Sequence, residues 1–395
     1  MRDKKIRIYG DEDMKVKLES FLKEICEKTT QNNQYPVLTS SKAGLFLQSD
    51  YFNKQVASKD NTGYKIIHRG QFTYRAMSDT GEFFPNMLEC TDIGIVSPAY
   101  PVFEITKENE VLSDYLKYFF KSDSFQYLIS AFAQGSTRTS VKFDKMKTVA
   151  INLPPMDEQG KIVTIIDRVT KTISARQQQI QKLDELVKAR FVELFGNILT
   201  DRNLPLVQLS ELADIGSSKR IYAYEYAEEG IPFYRSKEIR ELGSGLKPSV
   251  ELFITSERYN EIKNKYGVPK VGDILIAAIG ATIGYSWIVN TENPFYYKDG
   301  NLIILSIKDD VNPIFLNHVM GILIDDFKNK GVAGSAQLAL TIEKLEKMIV
   351  VSPDINLQNQ FAVFVKQVNK SKVAVQKSLD ETQKLFDSLM QKYFG

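Results

Sequence analysis

The chain has 395 residues, 43% hydrophobic and 25% charged, with 51 basic and 49 acidic side chains giving a net charge of +2. That length predicts two domains rather than one core, and the ordinary composition excludes a disordered or low-complexity chain. Near-balanced charge excludes a bulk basic excess as the sign of a nucleic-acid binder, so any such reading has to rest on local clusters.

The first thirteen residues, a charged leader over 1–13, have no apolar h-region and do not form a secretory signal. Two cysteines, Cys26 and Cys90, suit a reducing cytoplasm better than a disulfide framework, and the localisation expected is cytoplasmic. His68 and His318 are too few for a His-rich metal site and are read as structural. Residues 14–153 are mixed in pattern. An entry segment, VKLESFLKEI (16–25), leads to a charged turn into a strand, GYKIIHRGQFTYRA (63–76), and then to a predicted helix, YLKYFFKSDSFQYLI (115–129).

A long helix is predicted in the segment 154–200. From Ile162, apolar residues fall at 162, 166, 169, 173, 180, 183, 187 and 194, the four-three spacing of a coiled-coil seam, with Arg176 and Arg190 as breaks. Residues 201–352 repeat the landmarks of the first segment. VQLSELADI (207–215) matches the entry, YGVPKVGDILIAAIG (266–280) the turn and strand, and FLNHVMGILIDDFKN (315–329) the helix. The apolar run ILIAAIGATIG (274–284) is too short to cross a membrane.

The last segment, 353–395, predicts a second long helix with a seam at Phe361, Val365, Val368, Val375, Leu379, Phe386, Leu389 and Tyr393, broken at Lys372 and Thr382. Shifted by 199 residues, Gly135–Gly196 aligns with Gly334–Gly395 without a gap. Pro154 meets Pro353, Gln159 meets Gln358, Leu186 meets Leu385, and Phe195-Gly196 meets Phe394-Gly395. No break of one seam coincides with a break of the other, so the helices look built to pack on each other. Each follows a proline, Pro155 or Pro353, and closes at a glycine. About 39 helical residues make a rod of roughly 60 Å. The echo at Gly395 carries the expectation that the second unit is complete there.

These features resemble the specificity (S) subunit of type I restriction-modification systems. GSTRTSVKFDKMKTVAINLPPMDEQGKI (135–162) followed by a long helix is similar to the end of a target recognition domain entering its spacer helix. DNTGYKIIHRGQFTYRA (60–76) and GIVSPAYPVFEI (94–105) are similar to one recognition-domain type of that family. The second copy departs from it in reading PDINLQ where the first has PPMDEQ, so only the Pro and Gln survive. The resemblance implies an α+β fold: two globular mixed α/β target recognition domains separated by two long antiparallel helices forming a coiled coil, with an internal pseudo-twofold repeat. It implies a non-catalytic subunit that reads a bipartite sequence in double-stranded DNA. Two methyltransferase subunits would dock on it and restriction subunits would join. S-adenosylmethionine, ATP and Mg are expected in those partners, with no cofactor or metal in this chain and no membrane.

Such a reading needs cations for phosphates and side chains that reach base edges. In the first domain the candidates are Lys42 in TSSKAG, Arg69 and Arg75 around RGQFTYR, and Arg138-Thr139 after the Gly-Ser turn. In the second they are Lys219, Arg220 and Tyr222 in GSSKRIYAY, Arg235, Ser236 and Lys237 in FYRSKEIR, Thr282, Tyr297-Lys298, and Gln337 as an adenine reader. For each, a solvated charge or a rim aromatic is the plain alternative, and Trp287, Tyr222 and Tyr297 fit core or rim positions. A rival reading, a DNA adenine methyltransferase in its own right, leans on NPFY (293–296), which has Phe295 where that motif needs a second proline. No FxGxG cofactor turn precedes it, and IGATIG lacks the Lys-Ser/Thr of a phosphate loop. A coiled-coil adaptor without DNA binding is the third reading, and diverged basic loops in both halves argue against it.

Overall fold

The computed structural model describes residues 15–51, 60–135, 138–201, 203–331 and 339–395. The chain forms two compact units. One is built on residues up to Gln177 together with Lys377–Gly395, the other on Gln178–Gln376. Each unit therefore holds one mixed domain and a stretch of both long helices. Those helices are Met156–Phe195 and Ile355–Phe394, 40 residues each and 199 apart.

In the first unit, Lys15–Lys17 pairs antiparallel with Ala150–Asn152, Val16 opposite Ile151. A four-stranded antiparallel sheet follows in the order Leu22–Ile25, Val102–Ile105, Phe72–Thr73, Asn86–Met87. Its core is aromatic. Phe103 stacks on Phe72 at 5.6 Å, Phe120 meets both edge-on, and the buried Tyr74 donates its hydroxyl to the Val141 carbonyl.

The second unit repeats this plan. Leu206–Gln208 pairs with Ile349–Val351, and the sheet runs Ala213–Gly216, Leu302–Ile307, Ile274–Ala277, Ser286–Ile288. Phe72 lies opposite Phe103 as Ile274 lies opposite Leu305, so the turn and strand of 63–76 do correspond to those of 266–280. The turns match in detail. The backbone N–H of His68 donates to the Gln71 side chain, and that of Lys270 to the Asp273 side chain. Gly70 and Gly272 between them sit at φ +86° and +98°, a region open to glycine.

The run ILIA is buried on every residue because both faces of its strand are covered. Ile274 and Ile276 enter the core under the helix Pro313–Gly331, while Leu275 and Ala277 enter a second core with Trp287 and Phe233. That second core belongs to an added sheet, Tyr226–Ala227, Phe253–Ile254, Ile231–Tyr234 and Tyr296–Tyr297, the last pair parallel.

One predicted helix is divided. The segment 115–129 forms Ser113–Phe119 and Asp123–Ser130, split by Ser122. Ser122 is extended at ψ 151°. Its hydroxyl accepts the Phe125 N–H and donates to the Phe119 carbonyl, which caps one helix and closes the other. The second unit has no such serine, and Pro313–Gly331 runs unbroken for 19 residues.

The paired identities at the helix entries are hydrogen-bond locks. Gln159, fully buried, accepts the Leu112 N–H at 2.9 Å and donates to the Glu110 and Pro154 carbonyls. Gln358, 2% exposed, accepts the Asn312 N–H at 2.9 Å and donates to the Pro353 carbonyl. Both seams face inward along their predicted positions, breaks included. Within the second unit the Lys372 break meets Asp184 at 2.7 Å, and the Arg190 guanidinium lies over the Phe364 ring. The last turn of each helix buries a further pair that the seam omits. Met390 and Phe394 pack under Tyr115 and Phe119 in the first unit, and Phe191 and Phe195 against Phe315 and Phe361 in the second. In each unit the helical stretches are thus antiparallel, the start of one beside the end of the other.

Candidate nucleic-acid interface

In the first unit, four of the five candidates gather around the segment 77–86. Long-range bonds hold that segment. Gln126 clamps both backbone groups of Phe83, and the buried Asn86 amide donates to Ser40 Oγ and the Ser41 carbonyl of the neighbouring hairpin. Lys42 sits at the tip of this hairpin, Leu38–Ser41 and Gly44–Leu47, 2.9 Å from Glu82 and over the Phe84 ring. Thr139 pairs with Ser78 in a short strand, its hydroxyl donating to the Ser78 carbonyl.

Gln134 and Ser140 exchange backbone bonds, and Arg138 stands two residues before Ser140. Gly135 comes close to the Arg138 backbone. At φ +122° a Cβ would come within 2.1 Å of the Arg138 carbonyl oxygen. Arg138 Nε lies 2.8 Å from Asp79 Oδ1, and Arg75 lies 3.6 Å from the other oxygen of the same aspartate. Arg69 departs from the group. It is tied to Asp92 and to the Glu89 carbonyl, so both ends of its guanidinium are engaged.

In the second unit the candidates divide. Arg235 and Lys237 converge on Glu251, and Arg235 also holds the fully buried Glu238. Lys237 foremost, with Arg235, pulls the Glu251 carboxyl down to about 2. Ser236 is half-buried at the start of the helix Ser236–Gly243. Thr282 ends the turn Gly280–Thr282, its hydroxyl donating to the Ile279 carbonyl. Tyr297, expected beside Lys298 as a DNA contact, is instead 3% exposed, because its strand lies inside the added sheet; Lys298 is half-buried. Gln337 lies outside the described residues.

GSSKRIYAY forms a cationic and aromatic surface. Lys219 donates its backbone N–H to the Tyr296 hydroxyl, and its ammonium lies 5.4 Å above the Tyr266 ring, where Lys265 also sits. Arg220 donates through Nε to Asp299 Oδ2 at 2.7 Å. That bond is the main reason its guanidinium is held above its usual range. Tyr222 stacks on Tyr224 at 5.6 Å with ring planes 5° apart, and Tyr224 is 84% exposed. Cations held beside exposed aromatic rings give a surface that can take anionic groups.

Tyr224, Lys265, Tyr266 and the two aspartates Asp79 and Asp299 were not among the sequence candidates. Tyr224 stood inside the stretch already singled out, whereas the aspartates act from far along the chain. Phe295 and Tyr296 of NPFY are buried in the core with Tyr234 and Trp287, and only Tyr296 of the four enters a strand, while Asn293 and Pro294 are exposed. Among the described residues no cluster of three or more His, Cys, Asp or Glu is arranged to hold a metal, and no helix is long and apolar enough to cross a membrane.

A family model described as the type I restriction modification DNA specificity domain matches the chain twice, over residues 16–185 and 203–382. A type I restriction enzyme specificity subunit of Haemophilus influenzae is 31% identical over 179 residues, 44% of either chain. The MjaVIII specificity subunit of Methanocaldococcus jannaschii is 25% identical over 299 residues, 68% of this chain. The chain spans 44% and 66% of the lengths of these two relatives. Among solved structures, the S subunit of a type I restriction-modification system from M. genitalium superimposes with a TM-score of 0.57 at 15% identity, over 96% of both chains. A chain from a structural study of complex assembly and conformational transition in the type I system gives 0.56 at 18% identity, over 96% of this chain and 97% of that one. These structures share the fold.

Proposed function

The chain belongs to the type I restriction-modification DNA specificity family, and on that premise we propose that it is the sequence-reading subunit of such a complex. Residues 14–153 and 201–352 act as target recognition domains, each reading one half of a bipartite site in double-stranded DNA. The two long helices set the unread gap and dock two methyltransferase subunits. S-adenosylmethionine, ATP and Mg serve in those partners and in the restriction subunits, and this chain performs no chemistry itself, in the cytoplasm.

The observation that carries this reading is the repeat. Each mixed domain hands over to a 40-residue helix through the same buried glutamine, while the surfaces that bear cations differ between the units. Equal scaffolds suit two identical partners on one chain, and unequal surfaces suit two different half-sites. Against the adenine methyltransferase alternative stands the sequence NPFY itself, with Phe295 in place of the second proline, and both Phe295 and Tyr296 are packing residues.

Methylome sequencing of cells that express this chain with its methyltransferase tests the reading. The expected result is N6-methyladenine in a split motif with a fixed gap, and exchange of residues 201–352 for another such domain changes one half only. A motif that changed in both halves would refute one domain per half-site. Methyl transfer by the purified chain alone would refute the non-catalytic role.

A further inference from the structure

Three arginines on the two domains spend their guanidinium on the protein. Arg69 is held at Nε and Nη1, Arg235 by two glutamates, and Arg258 by Glu225 and Glu261. Arg138 and Arg220 differ. Each is well exposed, at 60% and 64% of its side chain, and each meets a single carboxylate through Nε, Asp79 at 2.8 Å and Asp299 at 2.7 Å. Among the described residues no second carboxylate pairs with either. Asp299 on Nε fixes the plane of the Arg220 guanidinium, which also meets the Tyr222 hydroxyl, while Asp79 forms an ion pair at Arg138 Nε. In both, no carboxylate among the described residues takes up the terminal fork. That fork matches the O6 and N7 acceptors on the major-groove edge of guanine, and holding it beforehand lowers the ordering cost of using it.

The anchors differ. Asp299 is 15% exposed beside the buried Tyr296–Tyr297 strand, whereas Asp79 is 55% exposed and shared with Arg75. The neighbours are of another kind. Lys219 and Lys265 reach no carboxylate among the described residues and lie over the Tyr266 ring as diffuse charge suited to phosphates.

We propose that Arg138 and Arg220 each read one G·C pair, one in each half-site, and that Asp79 and Asp299 are the positioning residues that aim them. The proposal rests on the DNA-reading function above and adds the readers, the base, and the partner that orients each reader. It makes the carboxylates part of recognition although they repel DNA, and it gives Lys219 and Lys265 affinity without sequence preference.

The test is selection from a randomised duplex DNA library by the full chain, purified with the subunits it assembles with, alongside R138K, R220K, D79N and D299N. None of the four side chains belongs to a hydrophobic core, Asp299 being the least exposed of them, and unchanged thermal melting checks that the fold is kept. The expected result is a split motif for the wild type. R138K loses preference at one G·C position of one half by on the order of tenfold, and R220K does so in the other half. D79N and D299N relax the same positions as their arginines by a smaller factor, with the salt dependence of binding unchanged. Uniformly weaker binding with an intact motif and a salt slope shallower by about one would assign the arginines to phosphates and overturn the proposal. Relaxation of the same half by both lysine variants would overturn it too, as would aspartate variants that leave the motif intact. A wild-type complex that selects no sequence would instead bring down the DNA-reading function itself.

Discussion

Replacing Gln358 by leucine removes the lock at the entry of the second long helix and keeps its volume. The side chain is 2% exposed, accepts the Asn312 N–H at 2.9 Å and donates to the Pro353 carbonyl at 2.8 Å. Leucine leaves both backbone groups without a partner, at about 1–3 kcal/mol for each buried orphan. Water reaches the half-buried Asn312 more easily than Pro353, so the expected loss is about 2–4 kcal/mol. The assay is urea unfolding followed by the fluorescence of Trp287, the single tryptophan of the chain and a core residue of the same unit. With a urea slope of about 2 kcal/mol/M, the midpoint falls by about 1–2 M. The neighbouring exposed Gln360 changed to leucine is the control, expected within about 0.5 kcal/mol of wild type. A Gln358→Leu midpoint within about 0.2 M of wild type would refute the idea that the repeated glutamine locks the helix entry.

Four further outcomes follow from the packing. Burial first, and Lys188 second, pull His318 down to about 4 against an ordinary value near 6.5, so folding favours its neutral form. Its contribution is complete above pH 6.5, declines as pH falls toward 4, and is worth up to about 3 kcal/mol; urea midpoints read by Trp287 between pH 7 and 4 should show that decline, and His318→Phe should flatten it. Phe394→Ala empties the contact with Tyr115 and Phe119 and costs the first unit about 3–4 kcal/mol, read as an earlier transition in circular-dichroism melting. Asp184→Ala costs under about 1 kcal/mol because its pair with Lys372 is largely exposed. Lys372→Leu, which restores an apolar seam, should raise Tm by about 2 °C.

The long helices were legible because a heptad seam is a local pattern that tertiary packing rarely overrides. Even the breaks fell where expected, since a charge in a seam needs an opposite charge or an aromatic face, and Asp184 and Phe364 supply them. Met390, Phe394, Phe191 and Phe195 escaped because they lie one position off the seam and pack on the mixed domains. The division at Ser122 had a local signal, a serine able to cap a following helix in KSDSF, but the apolar spacing on either side masked it. The candidate interface was legible only by composition. Basic loops named Arg138 and Arg220, but nothing local shows that Asp79, 59 residues before Arg138, or Asp299, 79 residues after Arg220, would hold them. A count of cations likewise cannot separate Arg220 from Arg235, whose charge is spent on a buried Glu238.

The division of each long helix between the units has a consequence for synthesis. The second unit, Gln178–Gln376, is one continuous stretch and holds all it needs for its core once translated. The first unit lacks Lys377–Gly395, which the ribosome makes about 200 residues later; at about 5–20 residues per second that is a wait of roughly 10–40 s. Through that interval Tyr115 and Phe119 have no Phe394 to cover them. The later-made half is thus contiguous in synthesis, while the earlier half waits for its own tail.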